Sequence, residues 1–188
     1  MNARALILSL TIAAIFLFAN SPSVCASQTH REHLTEEEVE LVKEAQSLDK
    51  RIGVFIKAAD RRVQVITGIE TTTPKQVKKD AGVWGALPTG TRPALLGDIA
   101  RIFDEAITNI EDVSFRDQKN PLVAVALRNL AAAVTRIVGQ LKPFEEQAKG
   151  DLETSSFDQI IENAESIVQA ASKLPPPVEK KGKSKTGN

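Results

Sequence analysis

Apolar side chains recur along this chain in three registers. From Ala5 to Ala19 they run almost without interruption, and from Thr35 they return every three or four positions, the spacing that keeps one face of an α-helix dry. Beyond Leu174 they nearly vanish. The first periodic stretch opens at Thr35, whose hydroxyl is placed to accept a free backbone N–H while Glu38 reaches back, a capping box. Leu41, Ala45, Leu48, Ile52, Phe55 and Ala59 then alternate steps of four and three until Gly68 ends the run. The spacing predicts a single helix of about 31 residues, about 46 Å at 1.5 Å per residue, the longest element of the chain.

A second helix is expected from Pro93, a residue suited to a first turn because its missing N–H would have no partner there. Leu95, Leu96, Ile99, Ile102, Phe103, Ala106, Ile107 and Ile110 mark its buried side. The third starts at Asn120-Pro121 and runs to about Leu141, where Pro143 is expected to interrupt it. Its apolar face is so broad that it reads as the most buried helix, and Arg128 and Arg136 argue against its crossing a membrane. The fourth follows Gly150, with Thr154 or Ser155 as cap and Phe157, Ile160, Ile161, Ala164, Ile167, Val168 and Ala171 as its stripe. Pro175-Pro176-Pro177 stops it.

This pattern predicts an all-α fold, an up-down-up-down four-helix bundle over residues 35–174 with a long first loop and a disordered Lys-rich tail at 175–188. The loop from Ile69 to Arg92 is longer than the two to eight or so residues usual between bundle helices. Thr73-Pro74 is placed to start a short helix through Asp80, and Trp84 to anchor a lid among Gly82, Gly85, Pro88 and Gly90.

The leading apolar run is too short for a membrane span, which needs about 20 residues, and Val24-Cys25-Ala26 supplies small residues for cleavage. Residues 1–26 therefore read as a signal peptide and 27–34 as a flexible mature N-terminus, of a protein destined for the periplasm or the extracellular space. Lipidation of Cys25 is disfavoured by Val24 before it. Cleavage after Ala26 removes the single cysteine, so the mature fold rests on packing without disulfides.

Lys and Arg number 24, as do Asp and Glu, and loss of Arg4 leaves the mature chain at −1. That balance argues against nucleic acid as a partner. The distribution is more telling. Glu36, Glu37, Glu38, Glu40 and Glu44 open the first helix, and Lys50, Arg51, Lys57, Arg61 and Arg62 follow them, as the helix macrodipole favours. In an up-down bundle, Arg61, Arg62, Lys75, Lys78, Lys79, Arg92, Arg136 and Lys142 would gather at one pole, with Trp84 as a lid anchor on the bundle end, and Glu36 to Glu38, Glu111 and Asp112 at the other. The basic pole is a candidate contact surface for an envelope protein or an anionic envelope surface.

Other chemistry is sparse. His30 and His33 stand three apart in the expected frayed start, with no fixed third ligand, so no metal or other cofactor is assigned. Asp98, Asp104 and Glu105 are spaced for ordinary ion pairs with Arg101 on a solvated helix face. Catalysis is not expected.

The run from Glu44 to Arg51, continuing through Phe55-Ile56-Lys57-Ala58-Ala59-Asp60-Arg61-Arg62, resembles a group of bacterial exported proteins without an assigned activity. The resemblance implies export and no site residue. The function expected is that of an exported, non-enzymatic bundle acting through contact with another envelope component. The alternative is a small-ligand or metal-binding module with a pocket under the 69–92 loop, and the long stripe of the first helix leaves a homodimer open.

Overall fold

The three-to-four spacing becomes helix throughout: the protein is all-helical, and no strand occurs among the described residues. A computed structural model describes residues 32–69 and 81–176. The expected leader, the first five residues of the expected mature chain, the helix expected from Thr73 to Asp80 and the tail from residue 177 lie outside them. The described residues belong to one compact unit beginning at Glu32. Its helices are α1 (Glu36–Glu44), α2 (Leu48–Thr67), α3 (Arg92–Arg116), α4 (Pro121–Glu145) and α5 (Asp151–Ser172), and residues 81–84 are also helical.

The single long first helix is corrected. Ala45 leaves helical geometry at ψ 92° and Ser47 is extended, so the chain turns and α1 folds back on α2. Residues 23 apart in a continuous helix would stand about 35 Å from each other, yet Glu38 and Arg61 are in hydrogen-bond contact at 2.8 Å. The stripe concealed the break because Ala45 and Leu48 are buried on both sides of the turn. Arg51 stabilises it, donating to the Ala45 carbonyl at 3.2 Å and to Asn109 of α3 at 3.2 Å.

The capping signals are realised with local differences. Thr35 accepts the Glu38 N–H at 3.3 Å and Glu38 accepts the Thr35 N–H at 3.0 Å. Thr91 caps α3 one residue earlier than expected, with Pro93 in the first turn, and Asn120 Oδ1 accepts the Leu122 N–H at 3.0 Å ahead of α4. Pro143 does not interrupt α4, which continues to Glu145. The last turn persists because Phe144 packs against the core. Neither Thr154 nor Ser155 caps α5, which starts directly after Gly150. Glu153 takes over, its carboxylate accepting the Lys149 N–H at 2.8 Å.

α2 packs on α3 and α4, and α5 packs on the same two helices from the other side. The consecutive helices α3 and α4, joined by a short turn, touch only weakly, and α2 and α5 do not touch. Arg51 with Asn109 and Arg62 with Asp98 set α2 antiparallel to α3, while Arg92 with Glu153 and Asn163 with the Ala100 carbonyl set α3 parallel to α5. Ile52, Phe55, Leu96, Ile99, Phe103, Leu130, Ile137 and Ile160 form the centre of the core.

α4 is not the most buried helix. It buries six of its 25 residues, whereas α3 buries nine of 25, although α2 and α5 pack on both. By length and composition α4 alone among the described residues could cross a membrane, yet only 28% of its most apolar 18-residue stretch is buried. Its inner face packs as core, and its Arg136 holds Asp60 of α2 through two hydrogen bonds of 2.8 and 3.0 Å. Leu122, Val123, Leu127 and Val138 pack on the core while only partly buried, and Val125 is exposed.

Candidate functional site: a buried charge cluster and an apolar groove

Arg62 occupies the position that continues the stripe Leu48, Ile52, Phe55, Ala59, so folding carries its guanidinium inward. An ion taken out of water costs several kcal/mol unless opposite charge meets it. Glu38 of α1 supplies that charge. Its Oε1 accepts from Arg61 Nη1 at 2.8 Å and from Arg62 Nη1 at 2.9 Å, and its Oε2 lies 2.8 Å from Arg62 Nη2. Arg62 also donates to the carbonyls of Ala58, at 2.8 Å, and His33, at 2.6 Å. Asp98 of α3 lies 3.8 Å from Arg62 Nε and accepts from Arg101 at 2.9 Å.

Arg61 ties a further segment to this cluster. Its Nη2 donates to the carbonyls of Gly85, at 3.1 Å, and Ala86, and its guanidinium carbon stands 5.7 Å from the centre of the Trp84 ring. Burial pulls the Arg61 guanidinium below its ordinary value, while the Glu38 charge opposes the shift. Gly85 sits at φ +66°, where a Cβ would come within 2.7 Å of the Glu37 side chain, so the 81–90 segment passes close over α1.

The expected basic pole is thereby corrected. Arg61 and Arg62 are buried and both pair with Glu38, with Asp98 also near Arg62, so acidic and basic ends of the first segment meet instead of standing at opposite poles. The turn at Ala45 is the reason. Trp84 is half-buried on Arg61, and Arg92 pairs with Glu153 of α5. That pairing raises Arg92 and, with the Lys149 N–H, lowers Glu153. Lys75, Lys78, Lys79 and His30 lie outside the described residues.

Two further expectations change. His33 is half-buried, its Nε2 2.7 Å from Glu105 Oε2, because α1 holds the preceding segment against α3. Asp98 is buried, not solvated, and Arg101 pairs with it while Glu105 faces His33. No group of three or more His, Cys, Asp or Glu is disposed to hold a metal among the described residues. Reading charges by their helical register would have found Arg62 and Asp98, since both stand within the apolar stripes of α2 and α3. Glu38 carries the same signal, standing three before Leu41 and four after Leu34 in the first stripe, but the residues it meets depend on the fold-back.

On the opposite side of α3 lies an apolar groove of about 610 Å³, bounded also by α4 and α5. Ile110 and Ile167 form its floor, with Ile107, Val123, Leu127 and Leu174 in the walls and Phe115, 88% exposed, at the rim. A shallower groove of about 410 Å³ follows the α4–α5 seam past Val138 and Val168. Beside Ile69, at the start of the long loop, lies a recess of about 270 Å³ with polar Asp60, Gln64, Arg136 and Gln140 around it. No protein-family model, curated protein or solved structure matches this chain.

Proposed function

We propose that the protein is exported and acts without catalysis, as a four-helix bundle of α2 to α5 strapped by α1, through contact with another component of the cell envelope. The observation that carries this reading is the exposed apolar side chains on three helices, Phe115 of α3 at 88%, Val125 of α4 at 43% and Val168 of α5 at 42%. Exposed apolar surface marks interaction sites in folded proteins where it gathers into patches. The contact uses these side chains of α3, α4 and α5. An anionic surface is the weaker partner, because Arg61 and Arg62 are buried against Glu38 and Arg92 pairs with Glu153.

The absence of catalysis has its own support. Glu38, the most buried carboxylate of the cluster, has both its oxygens engaged by two guanidiniums and a backbone N–H in joining α1 to α2. Export is supported by the leader pattern of residues 1–26. Fractionation of cells producing the tagged protein, with mass spectrometry of its N-terminus, tests the whole reading. A chain starting at Ser27 that sediments with the envelope, and that Val125→Glu releases, is the expected result. An uncleaved chain in the cytosol, or sedimentation indifferent to Val125→Glu, overturns it.

A further inference from the structure

We propose that the groove between α3, α4 and α5 binds a single-chain amphiphile with a cationic amine head group. This deepens the contact reading above and rests on it for the side of the molecule used. The groove has a structural cause. α3 and α4 are consecutive yet barely touch, so they diverge from the turn at 117–120, and α5 closes the third side without filling the wedge. Its volume of about 610 Å³ falls within the roughly 300–1,000 Å³ of small-molecule sites.

The lining selects the ligand. Ile107, Ile110, Val123, Leu127 and Ile167 offer an alkyl chain a dry bed, and a covering chain would remove the exposed Phe115 ring from water. Glu111 is the one charged residue of the lining, and it has no ion-pair partner among the described residues. The neighbouring Arg116 is engaged by Asp112 at 3.3 Å. An ammonium head beside Glu111 is complementary to it, with Ser114, Gln118 and Ser166 as neutral hydrogen-bonding groups around it. A carboxylate or phosphate head would instead meet a like charge.

The test uses the full chain carrying Trp84→Phe and Phe115→Trp, so that one indole reports from the groove rim, with calorimetry on the unsubstituted protein as an independent readout. Decylammonium should bind saturably and shift the indole emission to the blue, and decanoate should bind about fivefold or more weaker, the scale of an exposed charge interaction counted for both signs. Glu111→Gln should bring the two affinities within about twofold. No saturable decylammonium binding by either readout, or decanoate binding as tightly, overturns the proposal. Decylammonium binding alongside envelope association indifferent to Val125→Glu removes the contact reading alone. Association that depends on Val125 without amphiphile binding removes this proposal alone.

Discussion

Glu38 serves two structures with one carboxylate. It completes the capping box of α1 and pairs with two arginines of α2, so the residue that starts one helix also locks it to the next. Its substitution separates the roles, because glutamine keeps the reach-back of a capping box but removes the charge. Glu38→Gln leaves Arg61 and Arg62 buried without their counter-ion and should cost about 3 kcal/mol or more, read as a lower urea midpoint at unchanged slope. A loss under about 1 kcal/mol would mean that water reaches the arginines and the cluster is not closed. Arg62 and Asp98 were legible as exceptions within apolar stripes. Arg101 was legible as the partner of Asp98, but the meeting of Glu38 with Arg61 and Arg62 was not, because nothing in the spacing of residues 35–68 announces a reversal at Ala45.

Among the elements, α4 departs most from what its composition implies. A helix apolar nearly all round reads as fully enclosed, but α4 is packed by α2 and α5 and touched only weakly by α3, which leaves Val125 exposed. Two residues of α4 measure this difference. Ile137 is fully buried and Ile137→Ala should cost about 2–5 kcal/mol, whereas Val125→Ala on the uncovered side should stay within about 0.5 kcal/mol. Thermal or urea denaturation of the pair checks it. Equal losses would place Val125 in a buried interface. Caps behaved differently from burial: Thr35 and Asn120 could be recognised at once, since a cap is a bond between residues two or three apart.

At the scale of the whole molecule, ion pairs link helices that the core alone would only stack. Arg92 with Glu153 joins the start of α3 to the start of α5, and Arg136 with Asp60 joins α4 to α2. Arg92 and the Lys149 N–H hold Glu153 below its ordinary value. A carboxylate lowered by folding contributes stability above its unfolded pKa, about 4.3 for glutamate, and loses that contribution as pH falls through the lower folded value. The melting temperature should therefore fall below about pH 4. Glu153→Gln should lower the neutral-pH value and flatten this acid limb, as a calorimetric series across pH would record. An acid limb unchanged in Glu153→Gln would assign the loss to other carboxylates.

The sequence by itself determined the helices, most of their ends, and which stripe each would hide, because periodicity, caps and prolines act over a few residues. It also carried the leader pattern on which the proposal of export rests. Which stripe meets which, the reversal between α1 and α2, the burial of Arg61, Arg62 and Asp98, and the groove beneath Phe115 were decided only in three dimensions. Those features depend on contacts between residues more than 20 apart, where the energy of a charge or an apolar face is set by the neighbour it finds and not by its place along the chain.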